Sequence, residues 1–179
     1  FVNDVIKVDD HKIYTADPFN INLWDLKHKK VSPLKFNIKG KSTNISSVNY
    51  LMKVGEDQLM AVTETKMYLL SLHEFKGKEW NIKSIHKDFL KTMYLNLKPI
   101  RYKDDIILFS SALGLYFFDI KNNEFLKYPL PVKKGEKEIS NITDFLIDGN
   151  KNWWISTNKT GLYKYLPSQK TIINYNSEN

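Results

Sequence analysis

The sequence predicts an all-β fold built from repeated four-stranded antiparallel sheets, and three observations predict it. The chain repeats itself at an offset of 47 residues: GLYFFDIKNNEFLKY from Gly114 aligns without a gap on GLYKYLPSQKTIINY from Gly161. Apolar columns run in the same register: Ile13, Met60, Ile107 and Trp154; Tyr14, Ala61, Leu108 and Ile155; Ile21, Tyr68, Leu115 and Leu162. The apolar runs are short and bounded by turn residues, which is the strand signature, and no segment carries a convincing helical period. Four short strands every ~40–50 residues mark a β-propeller blade, a small sheet that buries its faces only by stacking on its neighbours.

The expected blades cover residues 2–36, 45–86, 94–131 and 139–179, within one propeller region of 179 residues. In the last, Ile142–Ile147 reads as a strand and Asp148-Gly149-Asn150-Lys151-Asn152 as its turn. Trp153–Thr157, Gly161–Leu166 and Thr171–Tyr175 follow as strands, with Pro167-Ser168 turning the chain between the last two. The third blade repeats this with turns at Lys103-Asp104-Asp105 and Lys121-Asn122-Asn123. The stretch Leu90–Leu97 fits either a helical turn or a loop entering a strand.

Composition bounds the function. With 42% hydrophobic and 26% charged residues, 7 Gly and 6 Pro, this is neither a disordered nor a low-complexity chain. There is no cysteine, so disulfides, zinc-thiolate sites and cysteine nucleophiles are excluded. No apolar run approaches the ~20 residues of a membrane helix. The sequence starts at Phe1 with no signal peptide pattern, as expected of a processed secreted protein or a piece of something longer. The net charge is +7, but Arg101 is the one arginine. Arginine dominates phosphate and guanine recognition, so nucleic-acid contact is not expected. Sequons at Asn44, Asn141 and Asn158 would matter only in a eukaryotic secretory pathway.

The segment DGNKNWWISTNKTGL, Asp148 to Leu162, resembles the blade motif of two-component regulator propellers, roughly D-x-x-G-x-L-W-I-G-T-x-x-G-G-L. Asp148, Trp154, Ile155, Thr157, Gly161 and Leu162 sit on the motif; Lys151, Trp153, Ser156 and Thr160 depart from it. The match is good in the fourth repeat, partial in the third and weak in the first two, although Asp25 and Asp119 both follow a third strand. The resemblance implies a periplasmic sensor region of a hybrid two-component system. Its ligands would be oligosaccharides, its rings would have more than four blades (the seven-bladed type), and a histidine kinase would lie in other parts of the parent protein. Four blades of such a ring leave blade faces and a strand edge open, to be covered by further blades and domains of the parent or by a second copy.

No residue reads as catalytic, and no cofactor or metal is expected. His11, His28, His73 and His86 show no metal-ligand spacing. The acidic positions Asp9-Asp10, Glu56-Asp57, Asp104-Asp105 and Asp148 could suggest glycoside hydrolysis, but they recur at every first turn, where Asp bonds its own backbone. Trp24, Trp80, Trp153 and Trp154 are expected in or beside the core, Trp154 at the motif's core position and Trp80 partly exposed in an outer strand.

The face carrying the loops 16–20, 37–44, 64–66, 84–93, 111–113, 129–138 and 158–160 holds nine lysines against five acids; the turns of the opposite face hold ten of each. A positive surface concentrates anionic partners. The candidate ligand-binding residues are therefore Lys39, Lys41, Lys87, Lys91, Lys133, Lys134 and Lys159. The expected function is oligosaccharide sensing, with an acidic ligand favoured; the alternative is a propeller scaffold that binds protein.

Overall fold

The structure is a computed structural model, and it describes residues 2–81, 98–103, 106–111, 113–122, 124–132 and 138–176. It is all-β, with no helix among the described residues. The chain divides into two compact units, Phe1–Leu90 and Lys91–Asn179.

The first unit holds two sheets. Sheet 1 is the meander β1 (Asp4–Lys7), β2 (Lys12–Ala16), β3 (Ile21–Asp25) and β4 (Lys30–Pro33). Sheet 2 contains β5 (Phe36–Ile38), β6 (Lys41–Thr43), β7 (Val48–Lys53), β8 (Gln58–Thr63), β9 (Lys66–Ser71) and β10 (Lys76–Asn81), in the order β6-β5-β10-β9-β8-β7. The second unit holds sheet 3, a meander of β11 (Lys98–Lys103), β12 (Ile106–Ser111), β13 (Gly114–Asp119) and β14 (Glu124–Lys127). Sheet 4 is the meander β15 (Ile142–Ile147), β16 (Trp153–Thr157), β17 (Leu162–Leu166) and β18 (Thr171–Tyr175).

Sheet 2 departs from the expectation. Residues 37–44 belong largely to a hairpin, where a loop was expected, and β5 pairs in parallel with the outer strand β10. The Lys39-Gly40 turn has φ of 51° and 83°, two left-handed residues in a two-residue hairpin. Such turns match the twist of the flanking strands. The hairpin is held from inside: Phe36 and Ile38 are buried in the core of this unit.

Turn chemistry explains the repeat. At the end of each second strand, Asp17, Thr63, Ser111 or Thr157 caps the next turn with its side-chain oxygen. Asp17 Oδ1 accepts from the Phe19 and Asn20 amides (both 2.7 Å). Thr63 Oγ1 accepts from Lys66 N (2.9 Å), Ser111 Oγ from Leu113 N (3.1 Å) and Thr157 Oγ1 from Thr160 N (3.1 Å). After the third strand, Asp25, Ser71 and Asp119 accept from the amides of His28, Glu74 and Asn122. After the first strand, Asp9 caps His11 N (2.7 Å), and Asp148 caps Asn150 N and Asn152 N (both 2.9 Å). Those acids are turn formers as expected, while Asp104-Asp105 lies outside the described residues.

The turn between β16 and β17 is one residue longer than its counterpart in sheet 3. Ser111 pairs with Gly114 across two residues, whereas Thr157 N bonds Gly161 O (3.1 Å) across three. The repeat is therefore 47 residues after that turn and 46 before it. In strand register Ile107 corresponds to Trp153, and Leu108 to Trp154. This corrects the expected column that paired Ile107 with Trp154. Trp153 is the fully buried residue, and Trp154 lies half-buried on the opposite face.

In each unit one sheet seats on the next. In the first, Ile6, Tyr14, Ala16, Ile21 and Leu23 of sheet 1 share a core with Leu51, Leu59, Ala61, Tyr68 and Leu70 of sheet 2. In the second, Ile100, Leu108, Leu115 and Phe117 of sheet 3 meet Phe145, Trp153, Ile155 and Tyr165 of sheet 4. The Trp153 ring is packed against Tyr102 (5.1 Å), Tyr128 (4.7 Å) and Tyr165 (5.4 Å). Burial and the bond to Tyr165 hold the Tyr128 phenol protonated well above the usual tyrosine range.

Candidate functional site

The rim of the first unit gathers the candidate residues that the structure describes there. Three pieces of chain meet at this rim: the β2–β3 turn, the stretch from β6 to β7, and the β8–β9 turn. Local hydrogen bonds tie them together. Asn44 Nδ2 donates to Asn20 Oδ1 (2.6 Å), and Ser47 N donates to Pro18 O (3.0 Å). Ser47 adopts φ 55°, as Asn141 does (φ 53°) at the matching position before β15. The left-handed residue is thus the repeat's way of turning into a first strand.

Between the last two pieces lies an open cleft of about 440 Å³, lined by Thr43, Asn44, Ser46, Ser47, Thr63, Glu64, Thr65, Lys66 and Tyr68. Its lining is mostly polar, dominated by hydroxyls. Phe19, between the two residues that bond Asn44 and Ser47, stands 74% exposed. Asp17 fixes its backbone through the Phe19 amide, so an apolar ring is held in water on a capped turn.

Beside the cleft, Glu79 of β10 joins two lysines. Lys66 Nζ donates to one carboxylate oxygen (2.9 Å) and Lys39 Nζ to the other (3.1 Å). The Lys66 ammonium bond holds the Glu79 carboxyl below its ordinary range, with the Lys39 bond adding to it, and Glu79 in turn raises Lys66. Burial raises the neighbouring Tyr68 phenol. Glu79 lies within β10 and brings a negative charge to this rim, where it occupies both lysines. No sequence pattern marks that pairing, because Lys39 and Glu79 meet only through the parallel addition of β5 to β10.

Of the seven candidate lysines, Lys39 and Lys41 flank Gly40 on this rim, and Lys39 is engaged with Glu79. Lys159 sits in the exposed β16–β17 turn of the second unit. Lys87, Lys91, Lys133 and Lys134 lie outside the described residues, as does the Leu90–Leu97 stretch. The second unit has a smaller cleft of about 160 Å³, lined by Gly114, Lys127, Tyr128, Glu138 and others, with Lys127 and Glu138 ion-paired. Among the described residues no three His, Asp or Glu side chains converge as a metal site. His28 Nδ1 instead pairs with Asp25 Oδ2 (2.8 Å) in its own turn.

No family model matches the sequence, and no curated protein matches it. Solved structures do. The extracellular domain of a candidate one-component system of Bacteroides thetaiotaomicron, BT4673, superposes with a TM-score of 0.69 at 19% identity. That of the candidate hybrid two-component system BT3049 from the same organism gives 0.69 at 16%. The match covers 97% of this chain and 22% of the first structure, and 96% and 23% for the second, so the chain spans under a quarter of their length. The N-terminal domain of Nup159 also superposes, with a TM-score of 0.53 at 13% identity over 96% of this chain and 42% of its own, so the architecture is not confined to such domains. The chain thus shares its fold with extracellular domains of candidate Bacteroides signalling systems, the kind of protein whose blade motif Asp148–Leu162 resembles.

Proposed function

We propose that this chain is an extracytoplasmic, ligand-sensing part of a β-propeller in a hybrid two-component system. The observation that carries the reading is the fold it shares, over nearly its whole length, with extracellular domains of candidate signalling systems. The propeller has further blades in this reading, the membrane side is the periplasm, and the kinase lies elsewhere in the parent protein. The ligand is an oligosaccharide with acidic groups, bound at the rim of the first unit. Phe19 offers the apolar ring on which a sugar face stacks, the hydroxyl-lined cleft beside it bonds sugar hydroxyls, and Lys41, exposed beside the lysines that Glu79 occupies, attracts carboxylate or sulfate. Binding moves a two-state equilibrium only through different affinities for the two states.

The test is calorimetry with uronic, sulfated and neutral oligosaccharides at low salt and at ~0.5 M, where exposed charge pairs are screened. Acidic sugars should bind, weaken several-fold in salt, and weaken again in Phe19→Ser and Lys41→Glu. If no sugar binds, the sensing part of the reading fails. The second reading is a scaffold that binds protein, and the 74% exposed ring is what favours it: under it Phe19 anchors a protein partner.

A further inference from the structure

The charge at the rim of the first unit is set by strand register. Glu79 stands directly across from Tyr68 in the β9–β10 ladder, and Tyr68 lines the hydroxyl-rich cleft. Cross-strand partners share a face, so the Glu79 carboxylate lies on the cleft's side of sheet 2. The parallel pairing sets Ile38 against Gly77 and brings Lys39, the next residue, to Glu79. Lys66 reaches the same carboxylate from the capped β8–β9 turn. The Glu79 side chain is 15% exposed, so both ammonium groups are held on a carboxylate largely screened from water. Lys41 differs. It stands two residues before Thr43 in β6, on the same face, and Thr43 lines the cleft. Lys41 is exposed and has no ion pair among the described residues. Glu64, in the β8–β9 turn, lines the cleft exposed and likewise has no ion pair among the described residues. Asp17, in the β2–β3 turn, has both oxygens taken by donors of its own turn. At the cleft three ammonium groups, Lys39, Lys41 and Lys66, thus meet two carboxylates, Glu64 and Glu79, which leaves one net positive charge.

We infer that Glu79 sets the charge class of the ligand: by holding Lys39 and Lys66 it makes the rim selective for an oligosaccharide with a single acidic group, and Lys41 is that group's partner. This rests on the sugar-sensing reading above and narrows it. A second acidic group has to draw Lys39 or Lys66 away from Glu79. That leaves a mostly buried carboxylate short of a donor, which costs more than a new exposed pair contributes. The same group also meets the like charges of Glu79 and Glu64 at close range. A neutral sugar escapes both penalties but lacks the Lys41 contact. Glu79 itself touches no ligand; it determines specificity through the lysines it holds.

Calorimetry with three matched trisaccharides tests this: one neutral, one carrying a single uronic acid and one carrying three. The wild type should bind the single acid several-fold more tightly than the neutral sugar, and gain no more than about twofold from the two further acidic groups. Glu79→Gln keeps the shape of the side chain and removes its charge. It should leave the neutral sugar unchanged and raise the preference for the triple acid over the single acid by about three- to tenfold, the scale of one or two exposed ion pairs. The salt dependence of triple-acid binding should steepen with it. Lys41→Met should erase the advantage of the single acid over the neutral sugar. Circular dichroism checks that both variants remain folded. Acidic sugars that bind wild type and Glu79→Gln with the same triple-to-single ratio would overturn this inference and leave the sensing reading standing. A uniform loss of all three sugars in Glu79→Gln would also overturn it, because Glu79 would then only support the rim. If no sugar binds either protein, the sensing reading falls and this inference with it.

Discussion

The two faces of sheet 4 come from alternate residues of the same four strands, and both are apolar, yet they differ in fate. One carries Phe145, Trp153, Ile155 and Tyr165, all buried against sheet 3. The other carries Leu146, Trp154, Leu162 and Ile173 and is open or half-open. Two adjacent tryptophans thus face opposite ways, and hydrophobicity alone does not tell them apart. What distinguishes them is the neighbour, and which residue meets the neighbour is set by the pleat and the length of one turn. The strongest way to break the comparison is truncation. Trp153→Ala should cost about 3–5 kcal/mol, the scale for a large side chain lost from a packed core. Trp154 loses a stack on Tyr175 (5.9 Å) and a half-exposed packing surface, so Trp154→Ala should cost about 1 kcal/mol. Urea denaturation of the two variants measures the gap; equal losses would mean that the open face is covered in solution.

Glycines sharpen the same contrast at the backbone. Gly161 opens β17 at φ 89°, and a Cβ there would lie 2.4 Å from the Tyr175 carbonyl of β18. Gly161→Ala should cost about 2–4 kcal/mol from clash and left-handed strain together. Gly149, in the preceding turn, has open space around it, so Gly149→Ala should stay within about 0.5 kcal/mol of wild type. Lys151 has φ 64° at a position the blade motif gives to glycine. Relieving that strain, Lys151→Gly should stabilise by about 0.5–1 kcal/mol, net of the extra backbone entropy. Thermal melts of the three variants give the order directly.

Most of the fold was legible because turn chemistry is local. The last repeat's strands were readable to within a residue, since Asp148, Gly161 and Pro167 punctuate them. The β5–β6 hairpin was not, because three-residue strands carry too little alternation, and the Lys39-Gly40 pair is a weak turn signal beside Asn-Gly. The column that set Trp154 against Ile107 was one residue out for a different reason. Periodicity measured after the β16–β17 turn was carried back across it, and one added residue turns every side chain of a strand over. At the candidate site, a lysine count found Lys39 and Lys41 but not Glu79, which reaches them through a non-sequential parallel pairing. Phe19 gave no signal beyond an aromatic in a turn; its meaning lies in its exposure.

The smallest effect concerns a polar anchor of the open face. Trp154 Nε1 donates to Asp148 Oδ2 (2.9 Å), so the indole is tied to the capped turn below it. That bond first, and the Asn152 and Asn150 amides after it, hold the Asp148 carboxyl below its ordinary range. A carboxyl lowered by folding contributes stability above the unfolded pKa of ~4 and loses it as the pH falls through its lower folded value. Asp25, lowered chiefly by the His28 side chain, and Asp119, lowered chiefly by the Asn122 amide, act in the same window. Melting temperature should therefore be flat from pH 7 to about 5 and fall progressively below ~4. Trp154→Phe keeps a ring on the open face but removes the donor. Its deficit relative to wild type should be present at pH 7 and shrink once Asp148 is protonated in both proteins. A deficit that persists unchanged at pH 2 would assign the loss to ring packing, and would make the open face of sheet 4 more like its buried one than the exposures imply.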